Sequence, residues 1–328
     1  MKRLLVLFLF LAVSLVLVGC QGGATETETA VSEAALPANQ SAAMQTAVDW
    51  MVRTEQKADG GYSNFGGEES DIASALDAIL ALAAANADPA APLAYLEADP
   101  EALIGYATSG GGAAGKIILA LAAAGQNPRD FVGHNFVASL TEQLGDGGQY
   151  NVQVPFDQAL ALLALAGVGE TVPPAAVQWL KEQQGADGAW SDGYGTDSNA
   201  DATGAAIMAL AASGEAADSD NLSRARAFLA AAQLPSGGWE YGPGYGESAN
   251  STALAIQGLI ALGEDVAAAG GAWDKEGNTP MSALLAWQGP EGAFQADFGD
   301  GRFDNQYATV QSIPAVAGKA LPLSPAAR

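Results

Sequence analysis

The chain has 328 residues and a formal net charge of −24 at pH 7, because 37 acidic residues outnumber 13 basic ones. A surface this acidic repels nucleic acid, so the composition excludes nucleic acid as a partner. The only cysteine in the sequence is Cys20, which excludes an internal disulfide bond, a cysteine-ligated zinc ion and a cysteine nucleophile in the folded part.

The first twenty residues resemble a bacterial lipoprotein signal. Lys2 and Arg3 precede an apolar run over 4–18, and the run ends in Leu-Val-Gly-Cys at Cys20. We therefore expect a signal peptide over 1–19, lipid attachment at Cys20 and a protein anchored to a membrane on the extracytoplasmic side of the cell envelope. A plain secretory signal and a retained anchor are the alternatives, although the run is short for a membrane span.

Residues 20–39 are rich in Thr, Glu, Ala and Gly and contain no aromatic residue. They are too polar to bury a face, so they predict a flexible tether. Residues 321–328 are expected to form a loosely ordered tail.

A glycine-rich turn closed by an aromatic residue recurs throughout residues 40–320. Each copy joins an amphipathic helix to an apolar, alanine-rich helix, and a degenerate copy at 109–112 fills the longest gap. Six such units predict an all-α fold, an α/α toroid (α6/α6 barrel) of about six helical hairpins with the apolar helices in an inner ring. An open solenoid is the alternative. The closing aromatics are Tyr62, Tyr150, Trp190, Trp239 and Phe294.

The helical periodicity places the two kinds of helix in alternation. Pro314 is expected to bend or end the last one early. The amphipathic helices are predicted near 43–56, 92–107, 135–144, 174–184, 221–233 and 280–288, and the apolar helices near 71–84, 113–124, 157–166, 201–212, 250–262 and 305–317.

The spacing Trp179, Gln183, Gly188, Trp190 resembles the QW motif of squalene and oxidosqualene cyclases. The resemblance covers most of residues 40–320 and implies the α/α-toroid superfamily of terpenoid cyclases, protein prenyltransferases and cobalamin-carrier α-domains. The motif is structural, because its glutamine bonds free backbone groups at a helix end and its glycine permits a tight turn. Further copies contain Gln56 with Tyr62, Gln233 with Trp239, and Gln288 with Phe294.

Cyclases of this superfamily protonate their substrate with an aspartic acid at the start of an inner helix. Asp201 matches that position, but Asn199 and Ala202 stand where the family has carboxylates. Asp201 is thus either a general acid or a helix N-cap, and the cap is the favoured interpretation because Asn serves equally at two of the sites. Corresponding positions are Asp71, Asp157, Asn250 and Asn305.

The loops between each turn and the next inner helix should cluster at one mouth of a closed ring. Their aromatic and polar residues predict a site for a small molecule, a glycan or a protein partner, although turns alone also require Gly and Asp. The predicted mouth residues are Phe65, Asp71, Tyr194, Asp197, Tyr241, Tyr245, Asn250, Phe303, Asn305 and Tyr307.

No metal or cofactor is required by these residues. Prenyltransferase zinc needs Cys and His ligands, and the sequence has only Cys20 and His134. Calcium on Asp192, Asp197 and Asp201 is a weaker possibility, because their spacing does not match an EF-hand. A corrinoid is another, since 303–318 is similar to a segment of the cobalamin-binding toroids.

The sequence therefore predicts a surface-anchored lipoprotein with a squalene cyclase-like repeat toroid that binds a ligand without catalysis. The alternatives are a terpenoid cyclase-like isomerase with Asp201 as general acid, a lyase or hydrolase acting on an extracellular polymer, and a purely structural surface protein.

Overall fold

The computed structural model describes residues 35–63, 66–152, 154–193 and 197–324. The predicted signal peptide, the lipidation site Cys20, most of the tether, and the predicted mouth residues Phe65 and Tyr194 lie outside these ranges. Among the described residues, no helix is both long and apolar enough to cross a bilayer.

Helices make up most of the described chain. The first helix continues directly into a π-helical turn over Met51–Glu55. The short strands β1 (Gln295–Ala296) and β2 (Phe303–Asp304) pair in antiparallel fashion. The helices are α1 (Ala38–Trp50), α2 (Ile72–Ala84), α3 (Ala90–Ala98), α4 (Pro100–Ala107), α5 (Gly111–Ala123), α6 (Phe136–Thr141), α7 (Pro155–Gly167), α8 (Pro174–Glu182), α9 (Ala200–Ala212), α10 (Asp220–Ala232), α11 (Ala249–Ala261), α12 (Pro280–Leu285) and α13 (Gln306–Val316).

The six apolar helices α2, α5, α7, α9, α11 and α13 form a closed inner ring. Each packs against the next in this order, and α13 returns to pack against α2. Small residues allow close approach: a Cβ on Gly258 of α11 would stand 2.9 Å from the Cα atom of Gly204 on α9. The amphipathic helices cover the ring from outside, so the predicted α/α toroid is confirmed and the open solenoid is excluded.

Two of the differences from the predicted helices involve prolines. The helix predicted over 92–107 is split into α3 and α4, because Asp99 accepts a hydrogen bond from the Ala102 N–H and Pro100 occupies the first position of the new helix. Pro314 does not end the last helix early, because it lies inside α13, which continues to Val316.

The turn after α8 shows how the repeated motif stabilises the ring. The side-chain Nε2 of Gln184 donates to the carbonyl oxygens of Gly188 and of Asn221 in the next unit, both at 2.8 Å. The side chain of Gln183 is exposed. The prediction that Gln183 is the QW glutamine was therefore wrong, and Gln184 holds that position. The neighbouring aromatic, Trp190, is fully buried and donates from its indole to the Leu180 carbonyl at 2.7 Å.

The same contacts close the ring between its last and first units. Gln288 Nε2 donates to the carbonyl oxygens of Gly292 and of Ala43 at 2.8 and 2.7 Å. Gly292 has a φ of +103°, and a Cβ there would stand 2.4 Å from the Thr46 carbonyl oxygen. Among the other predicted motif residues, Tyr62, Trp239 and Phe294 are fully buried and Trp179 is partly buried. Gln56 directly follows the π-helical turn, and the side chain of Gln233 donates to the Gly237 carbonyl oxygen.

An inner-helix side chain anchors the backbone of each closing aromatic in four of the units. The N–H groups of Trp190, Trp239 and Phe294 donate to threonine hydroxyls of α9, α11 and α13. In the third unit Gln158 of α7 replaces the threonine, accepting from the Tyr150 N–H and donating to the carbonyl oxygens of Gly148 and Ala176. Gln158 thus makes the contacts of both the threonine and the QW glutamine.

The chain after α13 is ordered as far as the structure describes it. Leu323 is buried, Leu321 packs against the core, and a Cβ on Gly167 at the end of α7 would stand 2.8 Å from Pro322. The expectation of a loosely ordered tail from residue 321 was wrong for 321–324. Pro322 thus packs against the C-terminal end of α7, and residues 321–324 are ordered because they bury apolar side chains.

Candidate functional site

A cavity of about 810 Å³ lies at the N-terminal ends of the inner helices. Residues of α5, α7, α9, α11 and α13 line it, together with loop residues that precede α7 and α9 and follow Trp239. Of its aromatic lining residues, Tyr241 and Tyr307 are among the mouth residues predicted from the sequence, and the other three are not. The aromatic lining residues are Tyr106, Phe156, Tyr241, Phe298 and Tyr307.

Asp201 faces this cavity and does not cap its helix. The N-cap of α9 is Asn199, whose side chain accepts from the Ala202 N–H at 2.8 Å. Asp201 is the second residue of the helix, so the favoured interpretation of Asp201 as an N-cap was wrong. The same offset applies to Asn250, because Ser248 caps α11.

Of the other predicted caps, two are confirmed and one is wrong. Asp71 accepts from the Ser74 N–H and Asn305 accepts from the Ala308 N–H. Asp157 is the third residue of α7 and lines the cavity, and the residue before that helix, Val154, has no capping side chain.

The carboxyl group of Asp201 is poorly solvated by its surroundings. Its Oδ1 atom is buried and accepts no hydrogen bond from the described residues. Burial raises the pKa of Asp201 to about 6, and the negative charge of the Asp192 carboxylate adds to the rise. The Ser251 hydroxyl, which can donate a hydrogen bond to the Asp201 carboxylate, lowers the pKa. Asp201 therefore changes its protonation state close to neutral pH. This property is expected of a proton donor, or of a carboxyl group that binds a polar ligand.

Asp192 is fixed by a neighbouring tyrosine. The Tyr241 hydroxyl donates to the Asp192 carboxylate at 2.5 Å, across 49 positions of sequence. Burial raises the pKa of Tyr241, and the hydrogen bond to Asp192 raises it further, because the phenolate would lie beside a carboxylate. The contact joins the loop before α9 to the loop before α11 at the edge of the cavity.

A buried ion pair lies deeper in the ring. Lys116 of α5 and Asp77 of α2 are 2.9 Å apart, and both side chains are mostly buried. Burial lowers the pKa of Lys116, but Asp77 more than compensates, so the pKa of Lys116 stays above its usual value. Each is the one charged residue of its helix and stands six positions after the residue preceding that helix. This shared offset was a sequence signal that pointed to a pair.

The predicted mouth residues are divided between the cavity and its rim. Tyr241, Asn250, Asn305 and Tyr307 line the cavity. The rim is formed by two edge-to-face aromatic pairs, Tyr241 with Tyr245 and Phe298 with Phe303. Outside the cavity, Tyr245 is 75% exposed, Phe303 and Asp197 are also exposed, and Asp71 is the cap of α2.

The described residues do not bring three or more acidic, His or Cys side chains together as a metal site. Asp192 and Asp201 face the cavity, whereas Asp197 is exposed. A second pocket of about 800 Å³ lies at the opposite end of the ring, between the C-terminal ends of α2, α5 and α7. Asp88 is its only charged residue among those described.

Comparison with known proteins agrees with this architecture. The model of the prenyltransferase alpha-alpha toroid domain matches residues 24–112 and 216–314, more than half of the chain. The model of the squalene-hopene cyclase N-terminal domain matches residues 149–238. No curated protein sequence matches the chain.

Several solved structures share the fold. The type II terpene cyclase MstE from Scytonema, without ligand, superposes with a TM-score of 0.61 at 18% identity, covering 85% of this chain and 98% of that one. A protein from Actinoplanes gives 0.61 at 15% identity, with coverages of 85% and 99%. An inactive α-1,6-mannanase variant from Salegentibacter, in complex with α-1,6-mannotriose, gives 0.59 at 11% identity, with 85% and 98%.

These identities are low, so the solved structures show the fold and leave the activity open. The family model, in contrast, matches the chain itself over most of its repeats, and the closed ring of six inner helices has the architecture that the model describes. The chain belongs to the prenyltransferase α/α-toroid domain family.

Proposed function

We propose that the protein is a lipid-anchored, extracytoplasmic binding protein whose ligand is a small molecule held in the central cavity of the toroid. The observation that carries the proposal is the cavity of about 810 Å³ with the buried Oδ1 atom of Asp201 in its wall, which accepts no hydrogen bond from the described residues. A buried polar atom without a hydrogen bond is costly in a folded protein, and a bound ligand would provide the missing partner.

The size and place of the cavity favour a small molecule over a glycan chain or a protein. Pockets for small ligands measure roughly 300 to 1,000 Å³ and combine apolar walls with a few polar groups. Here Phe156 and Leu254 provide apolar surface, and Asp201, Asn250 and Ser251 provide polar atoms. The helices around the ring restrict entry to the end where Phe298 is exposed.

Filling the cavity tests the proposal. Ala113 lines the cavity, so Ala113→Trp should occupy it, whereas Ala217→Trp makes the same change at an exposed position. A library of small molecules is screened by thermal shift against the wild type and both variants. We expect ligands that stabilise the wild type and Ala217→Trp but not Ala113→Trp. If no compound distinguishes the cavity-filled variant from the control, the cavity is not a binding site.

The anchor is tested separately. The Leu-Val-Gly-Cys sequence at 17–20 supports lipid attachment at Cys20. Cys20→Ala should abolish metabolic labelling with palmitate and release the protein from the membrane fraction. Retention of both labelling and membrane association in the variant contradicts the lipoprotein assignment, whatever the cavity binds.

A cyclase-like isomerase with Asp201 as general acid is the second candidate. It is favoured by the position of Asp201 in the second place of an inner helix, facing an aromatic-lined cavity with its pKa raised to about 6. Incubation with polyprenyl compounds and product analysis by mass spectrometry tests it. Turnover should require protonated Asp201, so it should decline as the pH rises through about 6 and be absent from Asp201→Asn. No product at pH 5 in either protein supports binding without catalysis.

A further inference from the structure

The charged groups that line the central cavity are predominantly acidic. Asp157, Asp192 and Asp201 face it, and Lys116 is the one ammonium group among the described lining residues. Lys116 is already neutralised, because it lies 2.9 Å from Asp77 in the next helix of the ring. A ligand in the cavity therefore meets an excess of negative charge.

The helix ends reduce this excess without removing it. The N-terminal end of a helix carries a partial positive charge that favours a nearby carboxylate. Asp157 and Asp201 lie in the first turns of α7 and α9, where this partial positive charge stabilises their carboxylates. Asp192 lies in the loop before α9, where the Tyr241 hydroxyl holds its carboxylate at the cavity edge.

Aromatic faces surround the same carboxylates. Tyr241 and Tyr307 line the cavity, and both lie close enough to Asp201 for its carboxylate to add to the rise that burial causes in their pKa values. Tyr241 is held in place by its hydrogen bond to Asp192 and by an edge-to-face contact with Tyr245, whose ring centroid lies 5.7 Å from its own. Aromatic faces combined with carboxylates in a partly desolvated site are the arrangement that attracts organic ammonium ions.

We propose that the ligand of the central cavity is an organic ammonium ion, with its cationic group between Asp201, Asp192 and the ring of Tyr241. This ligand class rests on the proposed binding function. Phe156 and Leu254 then contact the apolar part of the ligand, and Asn250 offers it a hydrogen bond. A neutral molecule of the same shape gains the apolar contacts but none of the charge stabilisation.

The first experiment compares a cation with its neutral copy. Benzoylcholine and the isostere that carries a tert-butyl group in place of the trimethylammonium group are titrated into the full chain at pH 7.5 by calorimetry. We expect the cation to bind at least about tenfold more tightly, the ratio that corresponds to about 1.4 kcal/mol. Equal affinity for the two compounds, or no binding of either, overturns the proposal.

Matched variants assign the effect to the residues named. Asp201→Asn should weaken benzoylcholine about tenfold and leave the neutral isostere unchanged, whereas Glu97→Gln removes a charge from an exposed position of α3 and should change neither. Tyr241→Phe keeps the ring and loses only the hydrogen bond to Asp192, whereas Tyr241→Leu removes the ring as well. The second variant should therefore cost the cation about tenfold in affinity, and the first should cost it less. Circular dichroism checks that each variant is folded.

The two proposals fail in distinguishable ways. If the library screen yields neutral ligands that are excluded by Ala113→Trp, but benzoylcholine does not bind, then the cavity is a binding site and the ammonium proposal is wrong. If benzoylcholine binds equally to the wild type and to Ala113→Trp, it binds elsewhere, and this proposal is again wrong.

Discussion

At the scale of single residues, burial of the Asp201 carboxylate in the cavity wall lowers the free energy of unfolding at neutral pH. The pKa of Asp201 is raised from 3.8 to about 6, so the native state holds the proton more tightly than the unfolded chain does. Stability therefore falls as the pH rises from about 4 to about 6, and the full penalty applies above that range. A shift of this size corresponds to at most about 3 kcal/mol, less where the side chain meets solvent in the cavity.

Asp201→Asn should accordingly stabilise the protein at pH 7.5, by up to about 3 kcal/mol, and have little effect at pH 4.5. Urea unfolding of the wild type and the variant at the two pH values measures the difference. A variant that is no more stable than the wild type at pH 7.5 shows that the carboxylate is already satisfied in the native state.

The Lys116–Asp77 pair offers a second prediction at this scale. Lys116→Met leaves the Asp77 carboxylate buried without its cation, which should cost about 3 kcal/mol. The double variant Lys116→Met with Asp77→Leu removes both charges and should recover most of that loss. Chemical unfolding of the wild type, both single variants and the double variant gives the coupling energy. Additive losses would show that the two charges do not stabilise each other.

At the scale of elements, adjacent glutamines allow a controlled test of the repeated turn. Gln184 bonds to Gly188, Asn221 and Arg224, whereas Gln183 is exposed. Gln184→Ala should destabilise the protein by about 1 to 3 kcal/mol, and Gln183→Ala should stay within about 0.5 kcal/mol. Thermal unfolding of the two variants shows which glutamine stabilises the turn. A larger loss of stability in Gln183→Ala than in Gln184→Ala would support the spacing predicted from the sequence.

The elements were predictable from the sequence because each repeat contains its own start and stop signals. The turn, its closing aromatic and the apolar inner helix recur in the same order, so the existence and the type of each helix could be inferred from the repeat. Positions within a turn were harder. Gln233 to Gly237 and Gln288 to Gly292 share a four-residue step that identifies Gln184, but the Trp179 spacing pointed to its neighbour. Gln158 had no sequence counterpart, since its role depends on contacts with two other elements.

The residues that line the cavity were harder to predict than the helices, because they too depend on exact positions at the helix ends. A two-residue error in the N-cap changes which side chains of an inner helix are expected to face inward. With Asp201 and Asn250 taken as caps, their side chains are assigned to the helix end; with Asn199 and Ser248 as caps, the same residues reach the cavity.

At the scale of the whole molecule, the closure of the ring depends on the contact between its last and first units. Gly292 and Gly299 share a φ near +100°, but only Gly292 approaches another unit, at Thr46. Gly292→Ala should therefore cost about 3 kcal/mol or more, and Gly299→Ala only about 1 to 2 kcal/mol from backbone strain.

Hydrogen exchange locates the damage. In Gly292→Ala the amides of α1 and α13 should exchange faster, because these helices flank the closure, while those of α7 on the far side of the ring should change little. Uniform acceleration around the ring, or equal effects of the two substitutions, would show that closure is not a separate source of stability.

The first residues of the described chain lie at the end of the toroid opposite the opening of the cavity. Leu36, just before α1, lies beside Gly318 at the end of α13, 3.6 Å from where a Cβ of that glycine would be. The described chain therefore begins at the end of the ring where Pro322 packs against α7, and the cavity opens at the opposite end. Both ends of the described chain thus lie away from the mouth residues and leave the opening of the cavity uncovered.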